Sequence, residues 1–207
     1  RLRRRGAPTA APRLRAAGWV LFGVAAFLLV AAHLAAGARR PEETIESPIR
    51  IFRQVAGEGT LKEMTAAWNG RDFRYLAVSD CPALAASGGE GWFFTSRTLA
   101  PDVWGFRGRI VLALLADQEG RLARCAVLAS REDETYFRPV QRWIPDELAG
   151  RHVFDPRDLR EADAVSGATV SSRAVIETAA AAGRRFAAAV GIATPAADEG
   201  ARGFAPT

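Results

Sequence analysis

Residues 16–38 form an apolar run without a single Asp, Glu, Lys or Arg. The hydrocarbon core of a bilayer is about 30 Å thick and is crossed by about 20 helical residues, so this run predicts a transmembrane helix. The sequence Ala36-Gly37-Ala38 also resembles a signal-peptide cleavage site, although the run is longer than the usual apolar core of a signal. Either interpretation predicts that the residues after the run are exported.

Between the apolar run and residue 68, apolar residues recur at helical spacing. They predict a juxtamembrane helix, a break at the glycines and a second short helix, and they are Ile45, Ile49 and Phe52, then Leu61, Met64 and Trp68. Pro48 is suited to start the first helix rather than to interrupt it. The small residues of 86–91 predict a flexible turn, and the Lys and Ser/Thr of a P-loop are missing near it.

The second half of the chain alternates between strand and helix patterns. Residues 108–115 and 121–129 predict two strands, joined by a hairpin turn over 116–120. Residues 145–150 predict a short helix that ends at the glycine, and 170–190 predict a long helix. The inner face of the long helix is expected to comprise Val170, Ala174, Val175, Thr178, Ala181, Ala182 and Phe186. The pattern predicts an α+β fold: a small antiparallel sheet packed with helices, preceded by one transmembrane helix.

The net charge of +5 belongs to one end of the chain. Residues 1–40 contain eight Arg and no acidic residue, which leaves 20 basic against 23 acidic side chains in residues 41–207. The larger part is therefore slightly acidic, which argues against a basic nucleic-acid-binding surface. Six Arg precede the apolar run and two follow it, so the positive-inside rule predicts a cytoplasmic N-terminus.

The chain has two cysteines and few histidines. Export permits a disulfide between Cys81 and Cys125, whereas the position of Cys125 within a predicted strand fits a buried thiol equally well. His152 is the one histidine after the apolar run, so a His-based triad or zinc site has little support. No catalytic or metal-ligating residue is predicted.

Residues 163–173 combine a glycine turn with hydroxyl side chains at the start of the predicted long helix. A helix N-terminus presents unpaired N–H groups and a partial positive charge, both of which favour phosphate. Gly167 lets the backbone bend closely, and Thr169 would place its hydroxyl at the mouth of such a site. The simpler alternative is a helix N-cap formed by Ser166 or Thr169.

The segment DAVSGAT at residues 163–169 resembles the D-x-x-[ST]-G-A-T flavinylation motif of bacterial FMN-binding domains. These domains occur in Rnf electron-transport complexes, in sodium-pumping NADH:quinone oxidoreductase and in related membrane flavoproteins. In that family the last Thr is joined to FMN by a phosphoester bond, installed outside the membrane by a flavin transferase. The matching residue here is Thr169. The resemblance covers about residues 92–188 and includes 103–110, which is similar to the family's G-[YF]-x-G-x-I segment.

The resemblance implies a set of residues that shape the FMN site. They are Thr169 as the covalent attachment point, with Ser166, Gly167, Ala168, Gly105, Gly108, Glu134 and Thr135. Many members carry an E-T-P-G turn after the second strand, where this chain has Glu134, Thr135, Tyr136 and Phe137. This departure indicates a divergent member. Tyr136 or Phe137 is expected either to pack on the isoalloxazine ring or to belong to the core.

The resemblance also implies a function. It predicts a single-pass flavoprotein of the bacterial cytoplasmic membrane, with its covalent FMN on the periplasmic side, which relays electrons among other membrane redox subunits. Such a chain is an electron-transfer subunit rather than a stand-alone enzyme, and a flavin transferase is its partner during maturation. Two alternatives remain open: a structural or assembly subunit without a redox role, and a sensory domain that binds FMN reversibly.

The predicted organisation has five parts. Residues 1–15 are a cytoplasmic basic segment and 16–38 the transmembrane helix. Residues 39–91 form a juxtamembrane stalk and helical lead-in, 92–190 the FMN-binding domain, and 191–207 a flexible tail.

Overall fold

The computed structural model of the protein describes residues 47–194, which form a five-stranded antiparallel sheet with helices on both faces. The helices are α1 Pro48–Val55, α2 Ser96–Leu99, α3 Glu134–Leu148, α4 Pro156–Arg160 and α5 Thr169–Val190, and a 3-10 helix spans Pro82–Ser87. The strands are β1 Thr60–Trp68, β2 Arg71–Ser79, β3 Gly91–Thr95, β4 Val111–Asp117 and β5 Leu122–Ala129. The predicted α+β class with an antiparallel sheet is confirmed.

Each strand of the sheet pairs with the next strand along the chain, in the order β1-β2-β3-β4-β5. β1 and β2 are joined through Asn69 and Gly70, whose positive φ values of 49° and 72° fit a tight hairpin turn. The predicted hairpin of β4 and β5 is confirmed, with β4 beginning at Val111 rather than at residue 108. The expected domain boundary between residues 91 and 92 runs through β3.

The two faces of the sheet are covered by different layers. On one face α2 to α5 pack on strand residues such as Phe94 and Leu114. On the other face α1 and the 3-10 helix cover residues such as Phe93 and Leu115. Neighbouring residues of a strand point to opposite faces, so β4 is buried along nearly its whole length. β4 is therefore covered on both faces of the sheet.

The long helix α5 is anchored to the sheet by aromatic rings. Phe186 is fully buried and stacks on Phe94, with ring centroids 4.1 Å apart, and it meets Tyr75 edge-on at 5.2 Å. The predicted long helix is confirmed, and the residues expected on its inner face are buried or half-buried except Val170. Val170 is 58% exposed because it lies in the first turn, beside the cavity described below.

The second short helix predicted before residue 68 is wrong, because Thr60–Trp68 is strand β1. Leu61 packs on the α1 side of the sheet, whereas Met64 and Trp68 pack on the opposite side. The apolar spacing that suggested one helical face therefore comes from a strand that contributes to both cores. The first helix is confirmed from Pro48, which occupies its first turn, and Ile45 lies outside the described residues.

The short helix predicted over 145–150 is wrong in its extent. It is the end of α3, a 15-residue helix that contains both Pro139 and Pro145. Proline in a helix interior removes a backbone hydrogen bond, which is why the sequence predicts a helix start at residue 145. The buried face of α3 offsets this cost, since Phe137, Val140, Ile144 and Leu148 recur every three to four residues.

The two cysteines are free thiols that pack on opposite faces of the sheet. Cys81 lies in the core under α1, and Cys125 packs against the core under the other helices. Burial raises the pKa of the Cys125 thiol to about 12. The structure therefore favours the buried-thiol interpretation over the disulfide.

The transmembrane helix predicted over 16–38 lies outside the described residues. Within residues 47–194, no helix combines the length and the apolar character needed to cross a bilayer.

Candidate functional site

The first turn of α5 has no side-chain cap. Its N-cap residue is Ala168, whose methyl group cannot accept a hydrogen bond. The Thr169 hydroxyl donates to the Val165 carbonyl at 3.4 Å, and Ser166 is exposed. The simpler alternative, an N-cap by Ser166 or Thr169, is therefore wrong. No side chain of the described part accepts a hydrogen bond from the free N–H groups at the start of this 22-residue helix.

The turn that leads into α5 is held in place from beneath by Ser172, which is fully buried. The Ser172 hydroxyl accepts a hydrogen bond from the Val165 N–H at 3.1 Å and donates to the Ala168 carbonyl at 3.0 Å. Gly167 has a φ of 78°, in the left-handed region that favours glycine. This arrangement leaves Thr169 exposed at the end of the helix.

A cavity of about 550 Å³ opens beside this helix terminus. That volume lies in the range of small-molecule sites. Its wall comes from three segments: the loop before β4, the link between β5 and α3 with the first turn of α3, and the turn into α5. The lining residues are Phe106, Arg107, Glu132, Asp133, Tyr136, Gly167, Ala168, Thr169, Val170 and Ser171.

Glu132 connects the first and the last of these segments. Its Oε1 accepts a hydrogen bond from the backbone N–H of Arg107 at 2.8 Å, and its Oε2 accepts one from the hydroxyl of Ser171 at 2.5 Å. Ser171 is buried in the first turn of α5. Hydrogen bonds to a carboxylate are stronger than those between neutral groups. Glu132 therefore fixes the distance between two walls of the cavity.

The N-terminus of α3 borders the same cavity, but it is already capped. Asp133 is its N-cap residue, and the Asp133 carboxylate accepts a hydrogen bond from the Thr135 N–H at 3.0 Å. A carboxylate in this position also offsets the dipole of the helix. Of the α3 and α5 termini, it is the α5 terminus that is left to bind an external anion.

The loop before β4 approaches Glu132 closely because Gly105 has no side chain. A Cβ at Gly105 would lie 2.7 Å from the Glu132 Oε1, which is too close for a carbon–oxygen contact. The Gly105 N–H donates to the Gly108 carbonyl at 2.8 Å and closes the loop. The Arg131 side chain packs over Gly108, where an added Cβ would lie 3.3 Å from the Arg131 Cβ. Both glycines therefore shape the wall opposite α5.

Residues 105–183, which contain all three segments of the cavity wall, match the sequence model of the FMN-binding domain. This stretch belongs to the FMN-binding domain family. The match confirms the family resemblance and supports FMN as the ligand. No curated protein and no solved structure gives a significant match to the chain.

The FMN-binding domain brings several of the predicted site residues together. Gly167, Ala168 and Thr169 line the cavity, and Ser166 directly precedes them in the same turn. Gly105 and Gly108 act on its opposite wall. The structure places Glu134 and Thr135 in the first turn of α3 but not among the lining residues. The Glu134 carboxylate is exposed and pairs with Arg138 at 2.6 Å.

The two aromatic residues after Thr135 have different environments in the FMN-binding domain. Tyr136 lines the cavity and is 65% exposed. Phe137 is 3% exposed and belongs to the core under α3. Of the two expected alternatives, Phe137 follows the core interpretation, and Tyr136 is the aromatic side chain available to a ring in the cavity.

Glu132, Ser171 and Phe106 were not singled out from the sequence. Residues 132–134 are all acidic, and nothing local distinguishes the one that turns toward α5. Ser171 is the one residue of the motif region that points to Glu132, because a buried hydroxyl in a first helical turn needs a hydrogen-bond acceptor. That acceptor lies 39 positions away in the chain, so only the fold reveals it.

Proposed function

We propose that the protein is a membrane-anchored flavoprotein with FMN attached covalently through a phosphoester to Thr169. The observation that carries this proposal is the uncapped first turn of α5, which opens on the cavity with the exposed hydroxyl of Thr169 beside it. A phosphodiester at Thr169 would keep about one negative charge, which the helix terminus stabilises.

The cavity also suits the ring of FMN. Phe106, Tyr136 and Val170 line it and are 74%, 65% and 58% exposed. Large apolar side chains that gather around one opening usually mark a binding site. They come from the loop before β4, the first turn of α3 and the first turn of α5, so a planar ring would contact all three segments of the wall.

In this proposal the protein residues bind and orient, and the chemistry comes from the cofactor. Bound FMN supplies reversible two-electron transfer. The α5 terminus holds the phosphate, Glu132 keeps the cavity walls together, and Tyr136 and Phe106 cover the ring. No nucleophile–base pair is needed for such a role, in keeping with an electron-transfer subunit rather than a stand-alone enzyme.

The attachment is tested by co-expressing the chain with a flavin transferase and measuring its intact mass. We expect a mass increase equal to FMN minus water, mapped to the peptide that contains Thr169, and yellow fluorescence that survives denaturation. Thr169→Ala should abolish the increase, whereas Thr65→Ala removes an exposed hydroxyl of β1, outside the motif, and should retain it. A wild-type chain that stays colourless would falsify the proposal, and flavin released on denaturation would favour reversible binding.

We further propose that residues 16–38 anchor the chain in the bacterial cytoplasmic membrane, with residues 47–194 on the periplasmic side. The asymmetry of the Arg residues around the apolar run supports this orientation. The partners are then other membrane redox subunits. Protease accessibility in spheroplasts tests the orientation, because the periplasmic part should be digested without lysis.

The redox role is tested in membranes that contain the partner subunits. If FMN relays electrons, Thr169→Ala should stop reduction of the partner cofactors while the complex still assembles. Unchanged reduction in that variant would instead assign a structural or assembly role.

A further inference from the structure

Arg107 is the one cationic side chain among the described residues that line the cavity. Its backbone N–H is fixed by Glu132 at 2.8 Å, and the Gly105–Gly108 hydrogen bond of 2.8 Å closes the loop around it. The position of its Cα relative to the cavity is therefore well defined, while its guanidinium remains exposed.

The carboxylates of the cavity wall already have other partners. Both oxygens of Glu132 accept hydrogen bonds, from the Arg107 N–H and from Ser171, and Asp133 caps α3. None of the ion pairs found within residues 47–194 involves the Arg107 guanidinium. The positive charge of Arg107 is thus available to a ligand.

FMN has two parts that carry negative charge. The phosphate is anionic in both redox states, and its charge is matched by the uncapped terminus of α5. The ring is neutral when oxidised. Two electrons and one proton convert it at neutral pH to a reduced ring with one negative charge.

We propose that Arg107 compensates the charge of the reduced ring and thereby raises the reduction potential of the bound FMN. The inference rests on the proposed function, since it requires FMN in this cavity. A cation near an ionisable group favours its negatively charged form, and charge near the flavin ring is one of the ways in which a protein tunes a flavin. Arg107 acts here as a tuning residue rather than a catalytic one.

Arg109 provides a matched control in the same loop. Its guanidinium lies over the ring of Trp104, 5.8 Å from the centroid, and it is not a lining residue. Replacement of Arg109 removes the same charge two residues further along the chain. A general effect of net charge would appear in both variants, whereas an effect through the cavity would appear only at Arg107.

The experiment compares the full-length flavinylated protein with Arg107→Gln, Arg107→Lys and Arg109→Gln. Each is reduced with dithionite at pH 7 in equilibrium with a dye of known potential, and FMN content is determined by intact mass. We expect Arg107→Gln to shift the equilibrium about tenfold toward oxidised FMN, which equals about 30 mV for a two-electron couple. The potentials of Arg107→Lys and Arg109→Gln should both stay close to that of the wild type.

Three results would overturn the inference while leaving the proposed function intact. The first is an unchanged potential in Arg107→Gln with full FMN content. The second is an equal shift in Arg109→Gln. The third is reduced FMN content in Arg107→Gln with an unchanged potential, which would assign Arg107 to the phosphate. A wild-type protein without FMN would overturn the proposed function, and this inference with it, before any potential is measured.

Discussion

Glu132 is separated from Arg107 by 25 positions and from Ser171 by 39, and its carboxylate hydrogen-bonds to both. The side chain is half-buried, and Gly105 lies against it without a Cβ. At the scale of single residues, these contacts hold the loop before β4 and the first turn of α5 on either side of the cavity.

Replacement of Glu132 by Ala is expected to destabilise the domain. It leaves the Ser171 hydroxyl and the Arg107 N–H without their acceptor, and unsatisfied groups of this kind cost about 1–3 kcal/mol. Urea unfolding measures the loss, and FMN content by mass should fall as well.

Glu134→Ala is the matched control for this change. Glu134 is exposed and forms an ion pair with Arg138 on the same helix, and exposed pairs of this type contribute about 0–1 kcal/mol. Equal losses in the Glu132 and Glu134 variants would contradict the connecting role of Glu132.

At the scale of elements, α5 has two functions in one helix. Its first turn forms the candidate phosphate site, and its middle crosses the segment around Val153 at Gly183. A Cβ at Gly183 would lie 2.2 Å from the Val153 carbonyl oxygen. The close crossing therefore requires a glycine in the middle of the helix.

Gly183→Ala is expected to lower the free energy of unfolding by about 1–3 kcal/mol, as for other overpacked sites. The sign is informative because alanine is normally better than glycine inside a helix by about 1 kcal/mol. Ala188→Gly, at an exposed position of the same helix, should show that usual preference. Stabilisation by Gly183→Ala in urea unfolding would refute the close crossing.

The link between α3 and residues 163–169 is held by a second carboxylate. The Glu147 Oε1 pairs with Arg151 at 2.6 Å and accepts a hydrogen bond from the Asp163 N–H at 3.2 Å. The Arg151 hydrogen bond, with a smaller contribution from the Asp163 N–H, lowers the pKa of Glu147 below its ordinary value of 4.5.

Because the folded pKa of Glu147 is lowered, its contribution to stability is present above pH 4.5 and is lost as the pH falls through the folded value. Glu147→Gln should therefore be less stable than wild type at pH 7, and the difference should shrink in acid. Urea unfolding at several pH values measures this. Glu119→Gln removes an exposed carboxylate of the β4–β5 turn and is the control for the loss of one negative charge. A stability difference for Glu147→Gln that is independent of pH would contradict the pairing.

The elements differ in how far the sequence predicts them. The β4–β5 hairpin and α5 follow from their apolar patterns, because each has one continuous signal and a clear turn or glycine at its end. β1 was mistaken for a helix because its apolar residues serve two cores. The predicted helix is shorter than α3 because Pro139 and Pro145 suggest helix breaks. The burial of Phe137 and Ile144 stabilises the helix despite these prolines.

The same limit applies to the candidate site. The motif at residues 163–169 is contiguous, so Gly167, Ala168 and Thr169 were found from the sequence and do line the cavity. Glu132 was missed because its partners are distant in the chain. Local chemistry is visible in a sequence, whereas the pairing of distant segments is decided by the sheet that lies between them.

At the scale of the whole molecule, the strands follow one another across the sheet in chain order. Each strand can therefore pair with a neighbour that has just been made, and such local contacts favour rapid folding. The helical layer over one face cannot be completed in the same stepwise way, because its largest element, α5, is the last element of the described part.

This order has a consequence for when the cavity exists. Phe106, Glu132 and Tyr136 leave the ribosome before Thr169, and they form one side of an open surface until α5 docks through Phe186. A maturation factor that recognises the finished cavity would therefore ignore nascent and truncated chains. Attachment of a cofactor at Thr169 would then mark a chain as complete and correctly folded.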